Sequence, residues 1–525
     1  MMPFMISGPL FLQIVFAALL VALFVGGAAA AFSNPRSSLT QRLGIPLVSA
    51  GLVTFAFLTL HKIQSSVFIE QNWMRLGRTI MWGRGYPLYP DVETGPVLNA
   101  IYGPLSALAY WPANWVSPLQ SVPAAVSCAA VFFFLPVFWL LVCRRDKEPR
   151  FLSFSLLGFV CFALAASLFS SLKRSAFSVH ADAPALGMAA LACGVIYLRS
   201  HDARSWKTLW VSALFATLAV WSKQTAAPIV PALLLYIWRT EGLRSFAVYV
   251  SAFFVAGIIS LAAATAVFDM PSLYYNMVLI PSRHGMGFED AAKSIFRLFR
   301  EIALLAVLTL PILWNRFRAP KPGGGFLTFH RWGLFWWVAL WMSPFALMAH
   351  IKIGGSNNTL SFATYFMLLG TILAFLETAR RHPDTAVNFR ARSAMVIYTA
   401  VLILVTLPLV FYRLGRLQYE RSFAAEALAY AAAHPGTSYF PRMPVIHLFA
   451  EGKLYHESEG LTDREWAGFT VGQEQFLAHI PKNLTLIGFA GENHRRVLPL
   501  GGFAIPSKRN SSLPGFTVYT QELLT

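Results

Sequence analysis

Apolar residues come in long unbroken runs over most of this 525-residue chain, and the runs set its class. A helix needs about 20 apolar residues to cross a hydrocarbon core of about 30 Å. About twelve runs of roughly that size fit: 9–32, 43–60, 121–143, 151–171, 184–198, 208–222, 225–238, 247–268, 303–315, 332–350, 361–379 and 394–414. The stretch 208–238 also fits one long broken helix. Within lipid the backbone must be helical, because nothing there can satisfy an open N–H or C=O. The first run lacks a basic leader and leads straight into another, so it is read as a retained span rather than a signal peptide.

After about Gly415 the pattern changes. Apolar runs shorten and alternation appears, as in TLIGFAG from Thr485 and FTVYTQ from Phe516. A helix is expected from Tyr419 to Ala433, stopped by His434-Pro435-Gly436. The expected fold is an all-α polytopic membrane protein, with a transmembrane domain over 1–414 and a small soluble α/β domain over 415–525. Asn483 and Asn510 match glycosylation acceptors by pattern, but ordinary surface asparagines are the better reading.

Composition agrees: 56% hydrophobic, 13% charged and a net charge of +18. If the twelve spans alternate, the short loops around Arg36 and Arg42, Arg144 to Lys147, Arg199 to Lys207, Arg239 to Arg244, Arg316 to Arg331 and Arg380 to Arg392 share one side. The positive-inside rule makes that side cytoplasmic. External loops then cover 61–119, 171–184, 269–300 and 352–360, with 415–525 on the same side. These external segments are basic too. Attraction to anionic headgroups explains cytoplasmic charge, whereas external charge suits a polyanionic lipid substrate. Nothing points to nucleic acid. Cys128, Cys143, Cys161 and Cys193 all lie in apolar runs, where they serve as small core residues. Gly323-Gly324-Gly325 lacks the Lys-Ser/Thr of a phosphate loop and is a flexible turn.

Four polar segments interrupt the apolar pattern on the external side. The first runs from Glu70 through Asn72, Trp73, Arg75 and Arg78, which suits an amphipathic helix lying in the interface. Glu70 there either does chemistry or simply pairs with Arg75 or Lys62. The second holds Lys173-Arg174 and Ser178-Val179-His180-Ala181-Asp182-Ala183-Pro184. Pro184 suits a first helical turn, and Asp182 is expected to cap that helix. The third is Trp221-Ser222-Lys223-Gln224-Thr225, where Lys223 has no obvious protein partner. It either snorkels or meets an anionic headgroup. The fourth runs from His350 through Lys352, Gly354, Gly355 and Asn358. A later stretch, Met443 to Phe469, is dense in His, Glu and Asp; a solvated or acceptor-docking face is expected there rather than a metal site.

Taken in order, these segments resemble the C-type integral-membrane glycosyltransferases that use polyprenyl-phosphate sugars. The likeness is strongest to bacterial members around the lipid A aminoarabinose transferase and the rhizobial galacturonosyltransferases, and extends to dolichyl-phosphate-mannose mannosyltransferase-like proteins. Glu70 looks like the family's acidic residue of the first external loop, followed by Gly85-Tyr86-Pro87-Leu88-Tyr89 and Tyr102-Gly103-Pro104-Leu105. Asp182 matches the second acidic residue, Lys223 the lysine of a K-Q/P-T turn, and Lys352 to Asn358 a K-x-G-x-x-x-N element. The family's first loop usually has an Asp or an Asp-Glu pair where this chain has Glu70-Gln71, so Asp91 and Glu93 are alternative bases.

The resemblance implies an inverting transfer of a sugar from a polyprenyl phosphate to a lipid or glycan acceptor at the external face of a plasma (inner) membrane. Glu70 and Asp182 are the expected catalytic pair. Lys223, Arg174, Lys352, His180, Arg75, Tyr89 and Asn358 are expected to bind substrate. Trp73, Tyr86, Tyr89 and Tyr102 either stack on sugars or form an interfacial belt. Glu70, Asp182 and His180 are the candidate ligands of a divalent cation (Mg, Mn or Zn). A lipid-linked glycan polymerase or ligase and a secondary transporter are the competing classes. The first usually places its large loop between late spans, and the second shows repeat halves that this chain lacks.

Overall fold

A computed structural model describes Ala18, Leu19, Ala22 and residues 39–142, 149–199, 205–317, 331–381, 386–414, 423–490 and 516–520. The expected first span, the loops around Arg36 and Arg144 to Lys147, the Gly323 turn and Asn510 lie outside these residues, as do parts of the other basic loops.

Helices occupy every expected run from 43 onward. In chain order they are α1 (Leu39–Gln64), α2 (Glu70–Gly83), α3 (Ser121–Val142), α4 (Pro149–Leu168), α5 (Ser170–Ala176), α6 (Asp182–Leu198), α7 (Trp206–Ser222), α8 (Ile229–Glu241) and α9 (Leu243–Val267). They continue as α10 (Ala291–Phe317), α11 (Gly333–Ile351), α12 (Ser361–Arg381) and α13 (Ala386–Leu414). The stretch 208–238 is two helices, α7 and α8, joined through a 3-10 turn at Gln224–Ala226.

Among the described residues, six helices are long and apolar enough to cross a membrane, or seven if the pair α4–α5, bent by 100°, is one span. The run 9–32 lies outside the described residues, and helix length accounts for part of the remaining difference from the twelve runs. A helix of 17 residues such as α6 or α7 reaches about 26 Å, short of the hydrocarbon thickness. The spans also differ in surroundings. The span Asn357–Arg380 is 94% buried, whereas Leu243–Val267 is only 17% buried. Phe254, Ile258, Ile259 and Val267 of α9 point outward, the pattern of a helix whose outer face meets acyl chains.

The C-terminal segment continues with α14 (Phe423–Ala433), α15 (Pro444–Ala450), α16 (Ser458–Trp466) and α17 (Gln473–Ala478). Between and after them run β1 (Ser438–Tyr439), β2 (Leu486–Ala490) and β3 (Phe516–Thr520). β1 and β2 are parallel, with Ser438 opposite Leu486, and β2 and β3 are antiparallel, with Gly488 opposite Val518. This segment does not stand apart from the bundle. Ala424, Ala427, Phe440, Met443 and Val445 belong to the same buried cluster as Trp73 and Leu76 of α2.

α2 is accordingly not an exposed interfacial helix. Trp73, Leu76, Ile80 and Met81 are almost wholly buried, and a Cβ at Gly77 would meet Pro444 of α15 at 3.2 Å. α2 is sandwiched between the bundle below and the C-terminal helices above.

Candidate active site

The polar segments meet at one end of the bundle: Asp182 joins the second, third and fourth, and Asn72 of the first bonds the backbone of the same loop. Asp182 is the first residue of α6 and is fully buried, but its side chain makes no capping hydrogen bond. The expected cap is therefore wrong: the carboxylate turns to other segments instead. Lys223 Nζ donates to Asp182 Oδ1 at 2.5 Å and Asn358 Nδ2 donates to Oδ2 at 2.5 Å. His180 Nδ1 lies 2.5 Å from Oδ2. Three segments separated by long stretches of sequence thus converge on one buried anion, as burial of a charge requires.

Lys223 has a protein partner after all. It ends α7 with only 3% of its surface exposed, over the ring of Tyr102 at 5.4 Å. It neither snorkels nor waits for an outside anion, because Asp182 neutralises it. Gln224 fastens the turn by donating to the carbonyls of Ile101 and Met277 at 2.7 and 2.6 Å. Gly103 lets the first loop come close: a Cβ there would lie 1.8 Å from the Trp221 carbonyl oxygen.

Burial pushes the His180 imidazole down to about 3, overriding the opposite pull of Asp182. The ring is therefore neutral near pH 7. The Asp182 N–H also approaches Nδ1, at 3.4 Å, but the far shorter carboxylate contact places the proton on Nδ1. Nε2 then accepts from the Tyr102 hydroxyl at 3.1 Å. Tyr110 fixes the loop further, donating to the His180 carbonyl at 2.5 Å, and Asn72 accepts from the Val179 N–H at 3.0 Å.

Arg75 and Arg174 border this centre. Arg75 is half-buried and Arg174 exposed. They act on each other electrostatically, and Asp182 acts on Arg174. Arg75 also reaches Tyr102, His180 and Asp463. Neither guanidinium makes a hydrogen bond or ion pair among the described residues. With Lys223 spoken for, they are cations open to an incoming anion at this centre.

The other expected residues take varied places. Glu70 opens α2 and accepts from Arg442 Nη1 at 3.0 Å. Lys352 donates to the Pro281 carbonyl and pairs its backbone with Met286. Tyr89 is 2% exposed and donates to the Tyr102 carbonyl at 2.8 Å, so its ring is core rather than a sugar platform, as is that of Trp73. Asp91 closes its own turn, accepting from the Glu93 and Thr94 N–H groups and the Thr94 hydroxyl. Those Thr94 bonds hold its exposed carboxyl below the usual range.

Among the described residues no three His, Cys, Asp or Glu side chains gather as a metal group. Glu70, Asp182 and His180 do not fit a divalent cation: Glu70 is turned to Arg442, and the Lys223 ammonium already sits on Asp182.

The charge pattern of the chain does not disclose the cover. The Met443 to Phe469 stretch, expected as a solvated face, is largely buried: His447 and His456 are 0% exposed, Glu457 1%, Asp463 4% and Arg464 5%. Glu457 Oε2 accepts from the Asn99 N–H at 3.0 Å, and Asn99 Nδ2 donates to Asp463 at 2.9 Å and to Glu459 at 3.3 Å. Gly460 permits this approach, since a Cβ there would lie 2.4 Å from the Leu98 carbonyl carbon. Arg464 donates to the Val92 carbonyl at 3.0 Å. The signal available in the sequence is the density of charge in a stretch that also carries Ile446, Leu448 and Leu461.

No family model and no curated protein matches the sequence. Solved structures do. ArnT from Cupriavidus metallidurans, crystallised with undecaprenyl phosphate, superposes at a TM-score of 0.53 with 12% identity, over 89% of this chain and 97% of that one. The oligosaccharyltransferase AglB from Archaeoglobus fulgidus, in complex with an inhibitory peptide and a dolichol-phosphate, gives 0.41 with 14% identity, over 83% of this chain and 69% of that one. The chain has the fold of the C-type integral-membrane glycosyltransferases.

Proposed function

We propose that the protein transfers a sugar from a polyprenyl phosphate to a lipid or glycan acceptor at the external face of the membrane. The observation that carries this reading is the pair Arg75 and Arg174. Their guanidinium groups have no hydrogen-bond or ion-pair partner among the described residues, and they stand beside a buried centre whose own charges, Asp182 and Lys223, are already paired. A phosphate headgroup supplies what they lack, and arginine matches phosphate geometry in a bidentate way. The similar ArnT structure holds undecaprenyl phosphate, a ligand of that chemistry.

In the proposed reaction the acceptor hydroxyl attacks the anomeric carbon and gives its proton to Glu70. The new bond to carbon forms as the carbon–oxygen bond to phosphate breaks, with inversion. The electron pair leaves on the phosphate oxygen, where Arg75 and Arg174 stabilise it. Asp182, Lys223, His180 and Asn358 hold the loops that frame the site, and Lys352 braces the neighbouring loop. The covering segment, 423–490, excludes water from above. The positive-inside pattern supports an external position for this end, with the C-terminal segment periplasmic or extracellular.

The test is transfer from a radiolabelled polyprenyl-phosphate sugar by purified protein. Arg75→Ala and Arg174→Ala should each weaken donor use at least tenfold while the fold persists. Full activity in the double variant would remove the donor assignment.

A further inference from the structure

Three cations gather at a place the Asp182 centre does not use. Lys62 lies in the last turn of α1, Lys173 in that of α5 and Arg413 in that of α13. The helices bring them together. Val410 of α13 packs with Leu58 of α1, and Ile403 of α13 packs with Ala50 of α1 and Val160 and Leu164 of α4. α5 then bends away from α4 by 100°, which keeps Lys173 at the same end. Lys62 interacts electrostatically with Arg413 and Lys173, and Lys173 with Arg413 and Arg174. No acidic side chain pairs with any of the three among the described residues. His61 lies alongside, within reach of Arg413, with its Nδ1 buried and without a hydrogen-bond partner.

Helix ends explain part of this. A helix C-terminus carries about half a negative charge, so one cation at each end is favourable. Three full charges brought together exceed what three such ends offset, and their mutual repulsion remains. An anion is the missing component.

The neighbouring surface says which kind. Leu60 is 42% exposed, Leu409 39% and Tyr412 58%, within the last two turns of α1 and α13. A free anion gains nothing from these side chains, whereas an anion carrying acyl chains covers them. We propose that Lys62, Lys173 and Arg413, with His61, form a site for the phosphate headgroup of a membrane lipid, distinct from the Asp182 centre. The site stands whether or not the Asp182 centre transfers sugar. Lys173 adjoins Arg174, so a lipid held there lies next to that centre.

Short-chain phosphatidate titrated into the full-length protein, read by native mass spectrometry, tests the site. Short-chain phosphatidylcholine is the neutral probe and inorganic phosphate the free anion. Phosphatidate should bind at least tenfold tighter than phosphatidylcholine. Combining Lys62→Gln, Lys173→Gln and Arg413→Gln should weaken phosphatidate about a hundredfold, and each alone about fivefold. Lys207→Gln, at an exposed cation on α7, should bind like the parent. Where the triple variant does not fold, judged by its unfolding midpoint, the single variants decide. Unchanged phosphatidate binding in the variants, or equal binding of phosphatidylcholine, overturns the site. Displacement of the lipid by inorganic phosphate at equal concentration makes the ligand a free anion and overturns its assignment to a lipid.

Discussion

Arg442 donates to Glu70 across 3.0 Å and 372 positions of sequence, so the C-terminal segment grips the carboxylate that opens the first loop. The pair is partly exposed, 32% on the arginine side and 11% on the glutamate side. Its contribution to stability is therefore about 1 kcal/mol or less. Arg442→Ala should leave the unfolding midpoint nearly unchanged while making the covering segment more sensitive to protease. Glu70→Gln should cut sugar transfer by about two to four orders of magnitude, as expected for loss of a general base. Comparable, mild losses in both variants would make Glu70 a docking residue and move the base elsewhere.

Asp182 and Lys223 depend on each other. Removing one partner of a buried pair leaves the other uncompensated, at a cost of about 3–5 kcal/mol. Asp182→Asn and Lys223→Met should each lower the unfolding midpoint in detergent substantially. The double variant should recover much of that loss, because neither charge is then left buried alone. Purely additive losses would show that the two side chains are not coupled.

The cover should loosen as pH rises. Burial, with repulsion from Glu459, pushes the carboxyls of Glu457 and Asp463 well above their ordinary range. Such acids hold their protons more tightly folded than unfolded. Their contribution is complete below the unfolded value of about 4 and is lost as pH climbs from there toward the folded values. The unfolding midpoint should therefore fall as pH rises above about 4, and Glu457→Gln should flatten the slope. A midpoint that rises there would contradict the assignment.

Gly103 is a steric requirement. With a Cβ 1.8 Å from the Trp221 oxygen, Gly103→Ala must push the first loop from the turn that carries Lys223. A destabilisation of about 1–3 kcal/mol is expected from such overpacking. Chemical denaturation measures it, and a neutral outcome would mean the loop yields freely.

Much of this architecture is legible in the order of residues alone. Apolar runs locate α1, α3, α4 and α6 to α13, because lipid leaves the backbone only that choice. Asp182, Lys223 and Asn358 stand out as polar residues between apolar runs. Their mutual pairing does not, since contacts over 41 and 176 positions leave no local periodicity. For the same reason Lys223 looks partnerless in the sequence. The charged stretch after Met443 looks solvated because the groups that satisfy it, Asn99 and the Val92 carbonyl, belong to the first loop. Part of the gap in span count arises because hydropathy marks apolar segments without fixing how far each helix extends.

The covering segment also orders the molecule's assembly in time. Every side chain on Asp182 is present once residue 358 has been made, yet Arg442, Glu457 and Asp463 follow only after α13. A nascent chain whose helices are already in place thus lacks its cover over Asp182. The centre is enclosed only when the segment after α13 reaches the same end of the bundle, so the route taken by that segment sets when this end of the molecule is completed.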